Sequence, residues 1–188
     1  MDILAEHFPD FNHTFFYDNA PSHQKRPEGS LSACHMPKFT LKPGSNWGIE
    51  VTHHDVNGKP IYLPNGSLEK VKVRMSNGTL PDGTLQLLYF PEGHECARVF
   101  KGMAKILEER GIKDVHKLRA ECKYFKCSPL ALDCCCHHIM FNQPDFVHVD
   151  TILEATCNAH GFKVIFLPKF HCKLNFIEQC WGYAKHIY

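Results

Sequence analysis

The sequence predicts an α/β fold, because strand-like and helix-like segments alternate along the chain. Two short runs rich in aromatic and β-branched residues, HTFFYD (residues 13–18) and FKVIFL (residues 162–167), are typical of strands. Apolar residues recur with the helical period in ARVFKGMAKILEERG (residues 97–111) and LNFIEQCWGYAKHIY (residues 174–188). The order strand, β-rich insertion, helices, strand, helix excludes an all-α protein.

The β-rich insertion covers residues 44–92 and is predicted to form hairpins. Glycine repeatedly follows Asn or Asp in it, and this dipeptide is the strongest short signal for a hairpin turn. The dipeptides are Asn57-Gly58, Asn65-Gly66, Asn77-Gly78 and Asp82-Gly83. We therefore expect a β-meander between the first strand and the helix that follows residue 97.

Helices are predicted on both sides of the second strand. The helix that follows the insertion is expected to end at Gly111, because glycine readily adopts the left-handed conformation in which helices commonly stop. Further helices are expected over residues 130–142 and 149–161, and a closing helix over residues 174–188. The two strands are expected to be buried, since both carry long apolar side chains.

Composition places the chain in the ordinary globular class and excludes several others. Hydrophobic residues make up 44% and charged residues 22% of the 188 residues, and the net charge is +1. No apolar run approaches the roughly 20 residues that a membrane span needs, and the N-terminus lacks the basic segment of a secretory signal. We therefore expect a nuclear or cytoplasmic protein whose ten cysteines are reduced thiols.

One segment is locally basic although the chain as a whole is nearly neutral. Residues 101–126 contain eight Lys or Arg residues and four Asp or Glu residues. The segment is either a solvated helical face or a surface that contacts nucleic-acid phosphates. On the second interpretation, the candidates for contacts with the DNA backbone are Lys101, Lys105, Arg119 and Lys123.

Asp18 and Glu178 are the candidate catalytic acids and metal ligands. Asp18 ends the first strand, and Glu178 lies at the start of the closing helix. Ligand sites of α/β sheets gather at the carboxyl ends of strands, where two carboxylates within about 4 Å of shared cations could activate a nucleophile. The alternative is that Asp18 caps a turn and that Glu178 forms a capping box with Asn175.

These acids lie in two motifs that together resemble mariner-like DDE transposases, in particular the fungal members. The motifs are FYDNAPSH (residues 16–23) and FLPKFHCKLNFIEQCWGYAK (residues 166–185), and YFPEGH, FKGMAKILEERG and LDCCCHHIMFNQPDF between them also look like this group. The resemblance implies a ribonuclease-H-like fold in which Asp18 and Glu178 are the second and third catalytic acids. It also implies Mg²⁺ or Mn²⁺ as the cofactor, DNA as the partner, and a site lined by Asn19, His23 and Asn175.

The chain departs from the family pattern in ways that predict weak or absent strand transfer. The family places its first catalytic Asp on an earlier strand, whereas the acids ahead of Asp18 lie on a helix remnant and its loop. We therefore expect residues 1–188 to be an N-terminally truncated catalytic domain without the early strands of the ribonuclease-H-like sheet. Two carboxylates alone would hold two divalent cations poorly. Lys173 also stands where the family commonly has Glu, and its cation could compete for Glu178.

A cluster of cysteines and histidines offers a second kind of site. The side chains with zinc-binding chemistry are Cys122, Cys127, Cys134, Cys135, Cys136, His137, His138, His171 and Cys172. Because consecutive residues of a helix point in different directions, CCCHH (residues 134–138) cannot converge as a whole. The predicted zinc ligands are Cys122, Cys127, Cys134 and His138. The alternative is that the thiols pack as small hydrophobic side chains.

Two classes of function are compatible with these features. The leading interpretation is a catalytically incomplete remnant of a DDE transposase catalytic domain. The intact family is expected to hydrolyse DNA phosphodiesters with divalent metal and to join the freed 3′ ends to target DNA. The alternative is a domesticated DNA- or protein-binding module without catalysis, stabilised by zinc. The sequence leaves open whether the protein is a homodimer.

Overall fold

A computed structural model of the chain describes residues 2–45, 47–168 and 176–187, without the side chains of residues 2 and 176–178. The predicted α/β class is confirmed, since small sheets and helices are interspersed. The chain divides into two compact units, unit 1 (Met1–Pro27 with Asp150–Tyr188) and unit 2 (Glu28–Val149). In the described residues, no helix has the length and apolar character needed to cross a membrane.

The helices and strands follow one another in the predicted general order. They are α1 (Asp2–His7), β1 (Thr14–Tyr17), β2 (Ile49–Thr52), β3 (Lys70–Val73), β4 (Gly78–Thr79), β5 (Leu85–Gln86), α2 (Met103–Glu109), α3 (Cys136–Phe141), α4 (Pro144–Val147), α5 (Ile152–Ala159), β6 (Lys163–Phe166) and α6 (Phe176–Ile187). Two short 3₁₀ turns, Val115–Lys117 and Lys123–Phe125, lie between α2 and α3.

Unit 1 is built on the parallel strands β1 and β6, which pair in register along their whole length. In both strands half-buried residues alternate with exposed ones, and Phe16 and Ile165 are 61% and 45% exposed. The expectation that these strands are buried is therefore wrong. The described sheet has two strands, and only one of its faces is covered.

The helix α5 leads into β6 and begins with a complete capping box. The Thr151 hydroxyl accepts a hydrogen bond from the Glu154 backbone N–H at 3.1 Å, and the Glu154 carboxylate accepts one from the Thr151 N–H at 2.8 Å. The helix lies within the predicted range 149–161. Because β6 then runs parallel to β1, the carboxyl ends of the two strands lie side by side.

Unit 2 contains the main hydrophobic core, and α2 contributes much of it through Met103, Ile106 and Leu107. The predicted end of this helix at Gly111 is confirmed, since Gly111 has a φ of +81° and its N–H reaches a carbonyl of the last turn. The helix starts later than residue 97, because Gly102 precedes it with a φ of +87°. A Cβ at Gly102 would lie 2.4 Å from backbone of Phe39, so only glycine fits there.

The insertion range 44–92 contains β2 to β5, which form two antiparallel hairpins. Gly58, Gly66 and Gly83 occupy turns with φ between +76° and +85°, as their dipeptides predict. The fourth dipeptide does not form a turn, because Gly78 begins β4. A Cβ at Gly78 would lie 2.8 Å from both Arg110 Nη2 and Asp145 Oδ2, so this glycine makes room for two charged side chains.

The predicted helix over residues 130–142 is shorter than expected, and its start matters for the site below. The α-helix α3 begins only at Cys136. Cys135 precedes it in an extended conformation, with φ −162° and ψ 161°. Residues 134 and 135 therefore do not follow the helical geometry that the sequence pattern suggested.

Candidate metal centre

Four cysteines of unit 2 converge on one point. The Sγ atoms of Cys122, Cys127, Cys134 and Cys135 all lie within 4.8 Å of one another. Four sulfurs in a tetrahedron around an ion, at the usual Zn–S distance of about 2.3 Å, would be about 3.8 Å apart. Cys135 is buried and the other three are half-buried. The cluster therefore has the composition and nearly the dimensions of a closed thiolate metal site, and it could hold a metal ion.

A tight turn brings Cys122 and Cys127 together. Cys122 O accepts a hydrogen bond from Phe125 N at 2.9 Å, and both Tyr124 and Phe125 are left-handed, with φ of +56° and +55°. Residues other than glycine adopt the left-handed conformation at a cost in free energy, so they keep it only where the surrounding structure enforces it. The turn reverses the chain within the four residues between the two cysteines.

The three consecutive cysteines before and at the start of α3 have different roles. Cys134 and Cys135 face the cluster, because Cys135 is extended rather than helical. Cys136 faces the hydrophobic core instead, where its thiol lies 3.6 Å from Val115 O. Its N–H also donates to Arg119 O at 3.0 Å, which ties the two sides of the cysteine loop together.

The predicted fourth ligand, His138, is replaced by Cys135. His138 Nδ1 lies 3.1 Å from Cys134 Sγ, and the His138 backbone N–H donates to Cys135 Sγ at 3.4 Å. His138 thus contacts two sulfurs of the cluster but does not belong to the converging group. The prediction failed because it treated residues 134–138 as helical, which would have directed Cys134 and Cys135 apart.

The thiols of the cluster differ in acidity. Burial raises the pKa of Cys135, but hydrogen bonds from the N–H groups of His138 and Cys122 and from neighbouring thiols outweigh burial and lower this pKa overall. For Cys127, burial and the thiols of Cys134 and Cys122 raise the pKa to about 12. Negative charge in the cluster is therefore best accommodated on the Cys135 sulfur.

Asp18 lies at the carboxyl end of β1, directly beside His23. Asp18 Oδ1 is 2.6 Å from His23 Nδ1, and the two side chains are 40% and 36% exposed. His23 Nδ1 has hydrogen-bond geometry with the backbone O of Asp18, at 3.2 Å. The buried Oδ1 of Asp18 therefore has no hydrogen bond of good angle, although it lies close to the same nitrogen. The structure thus brings His23 to Asp18, and Asn19 follows half-buried.

The partner carboxylate proposed for Asp18 lies outside the described side chains. Glu178 is part of α6, but its side chain is not described, and Asn175 and Lys173 lie outside the described residues. The convergence of Asp18 and Glu178 stays a prediction. His171 and Cys172 also lie outside the described residues.

One of the four basic candidates for DNA contacts is not available. Lys101 is buried, and its Nζ lies 2.8 and 3.1 Å from the two carboxylate oxygens of Glu109. The prediction for this residue is wrong because the lysine serves an internal ion pair. Lys105, Arg119 and Lys123 are exposed, and Lys123 Nζ lies 5.2 Å from the centre of the Tyr124 ring.

Comparison with known proteins gives no relative. No protein-family model, no curated protein and no solved structure matches this chain. The cysteine cluster, the strand-end acid and the exposed lysines are accordingly the observations from which a function is proposed.

Proposed function

We propose that this chain is related to the catalytic domain of DDE transposases and binds DNA without carrying out strand transfer on its own. The observation that supports the relationship most is the parallel pairing of β1 with β6. This pairing sets Asp18 at the same sheet edge from which the chain continues towards α6. Ligand sites of α/β sheets lie at such edges. The resemblance implies that Glu178, which lies in α6, is the acid that acts together with Asp18.

The described residues do not fit the two-ion centre that the resemblance implies. Mg²⁺ needs hard oxygen ligands that are held in place. In the part of the chain that the structure describes, Asp18 belongs to no group of three or more metal-ligating side chains. Its buried oxygen faces His23 instead. We therefore propose no strand-transfer step for this chain.

DNA binding would use the exposed basic residues of unit 2. Lys105, Arg119 and Lys123 are free of the internal ion pair that occupies Lys101. Lysine and arginine contacts with phosphates carry no sequence information, and they weaken at higher salt because the counterions that binding releases then contribute less free energy. The proposed binding is therefore independent of sequence and strongly dependent on salt.

Two assays on the purified chain test this proposal. Fluorescence anisotropy with a labelled duplex oligonucleotide, at several salt concentrations, is expected to show affinity that falls steeply as salt rises. Plasmid DNA incubated with the chain and Mg²⁺ or Mn²⁺ is expected to stay supercoiled. Metal-dependent nicking that disappears in Asp18→Asn would contradict the absence of catalysis, and no binding at low salt would contradict the DNA-binding function.

A second candidate function is an interaction module stabilised by zinc, and the cysteine cluster favours it. Thiolates are soft ligands and select zinc among the common divalent ions. A closed site with four protein ligands leaves no position for substrate, which is typical of structural rather than catalytic zinc. Elemental analysis separates the two readings of the thiols: about one zinc per chain supports the module, and none supports simple packing.

A further inference from the structure

We infer that a structural Zn²⁺ bound by Cys122, Cys127, Cys134 and Cys135 holds the segment 119–138, with His138 as a positioning residue. The inference rests on the second candidate function and specifies its ligands and its task. Four sulfurs within 4.8 Å of one another need only a small contraction to reach the spacing of about 3.8 Å around a tetrahedral ion.

The segment 119–138 has little hydrophobic core of its own to hold it in place. None of the residues from 120 to 134 is buried, and Tyr124 and Leu130 are 76% and 98% exposed. Regular structure between Arg119 and α3 is confined to the 3₁₀ turn Lys123–Phe125. Hydrophobic burial therefore cannot explain why this part of the chain adopts one conformation.

Three residues of the segment adopt a strained backbone conformation. Tyr124, Phe125 and Leu130 are left-handed without being glycine, with φ between +55° and +65°. All three lie between the first cysteine of the cluster and the last. Such conformations persist only where the surrounding structure enforces them. A metal ion that ties the loop at four points supplies that enforcement in a segment without a core.

His138 is assigned a positioning role because it contacts two of the four sulfur atoms but does not belong to the group that would bind the ion. Its ring lies 3.1 Å from Cys134 Sγ, and its N–H donates to Cys135 Sγ. Groups that hydrogen-bond to the ligands orient them and tune the affinity, typically by roughly 10- to 100-fold. Loss of the imidazole should therefore weaken zinc binding without removing the site.

The decisive experiment measures zinc in the purified full chain and in matched variants. Wild type is expected to contain one zinc per chain, and Cys135→Ser and Cys122→Ser are expected to lose it. Cys34→Ser and Cys96→Ser are the controls, since these thiols lie outside the cluster, and both should keep the metal. His138→Ala should retain one zinc with affinity lowered roughly 10- to 100-fold in a competition with a chromogenic chelator.

A second measurement on the wild type avoids variants that fail to fold. Zinc removal by a chelator should make the chain cleavable by trypsin after Lys123 and Lys126, while cleavage after exposed Lys25, in the loop that follows β1, stays unchanged. Adding Zn²⁺ back should restore protection. Wild type without zinc, a disulfide in the cluster, or zinc retained by Cys135→Ser but lost from His138→Ala would overturn the inference. DNA binding, measured separately by anisotropy, distinguishes this failure from failure of the leading function.

Discussion

Arg110 and Asp145 form a bidentate salt bridge inside unit 2. Arg110 Nη1 lies 2.7 Å from Asp145 Oδ1, and Nη2 lies 2.7 Å from Oδ2. The side chains are 2% and 14% exposed. The pair joins the end of α2 to the start of α4, and the N–H of Thr79 in β4 donates to the same carboxylate at 2.9 Å. Three elements of the unit therefore meet on one charge pair.

Asp145→Ala is expected to destabilise the protein by about 3–5 kcal/mol, because it leaves the buried Arg110 guanidinium without its counter-charge. Urea unfolding monitored by circular dichroism measures this change. Glu92→Ala is the matched control, since its pair with Arg98 is largely exposed and contributes little. Equal effects of the two substitutions would show that burial does not govern the strength of the Arg110 pair.

The same pair predicts a stability loss in acid. Burial raises the pKa of Asp145, but the Arg110 guanidinium and the Thr79 N–H outweigh burial and hold this pKa below its ordinary value of 3.8. A lowered pKa in the folded state stabilises the protein at pH values above 3.8, and this contribution is lost as the pH falls through the folded-state pKa. The difference in unfolding free energy between wild type and Asp145→Asn should therefore shrink below pH 3.8. A difference that grows in acid would refute the assignment.

Gly78→Ala is expected to act through this ion pair. The added methyl group would lie 2.8 Å from both Arg110 Nη2 and Asp145 Oδ2, so the charged groups must separate. Chemical denaturation of Gly78→Ala, Asp145→Asn and the double variant tests the coupling. Residues in contact give non-additive effects, so the double variant should lose less stability than the sum of the single losses. Strict additivity would show that Gly78 has another role.

Replacing Lys101 by alanine should affect stability, whereas replacing Lys105 by alanine should affect DNA affinity. Lys101→Ala removes a buried cation that pairs with Glu109 and should lower stability while leaving DNA affinity unchanged. Lys105→Ala removes an exposed charge and should weaken binding to every duplex sequence equally, with the salt slope reduced by about one unit. Anisotropy titrations with duplex DNA and parallel unfolding curves provide both readouts. A loss of affinity in Lys101→Ala at constant stability would reverse the assignment.

Local signals predicted the end of α2 and most of the turns. Gly111 ends α2 through its own backbone conformation, so the residue type and its neighbours suffice to identify it. The same holds for Gly58, Gly66 and Gly83. Gly78 was mistaken for a turn residue because its role depends on side chains that approach from α2 and α4. The identity of two neighbouring residues cannot predict such contacts between distant segments.

Only part of the candidate metal centre was predicted from the sequence. Three of the four converging cysteines were identified from residue type and spacing, whereas the fourth depended on where α3 begins. A helix starting before residue 134 would separate Cys134 from Cys135 around its axis. The extended conformation of Cys135 removes that separation. The prediction for Lys101 failed for a similar reason, since a lysine in a basic segment does not reveal that it is buried and paired with Glu109.

X-ray absorption spectroscopy at the zinc edge, on the purified full chain, tests the cysteine-bound ion most directly. A zinc ion bound by the four cysteines should give a first coordination shell of four sulfur atoms at about 2.3 Å, with no nitrogen from His138. A shell of three sulfurs and one nitrogen, or a protein that contains no zinc at all, would contradict it.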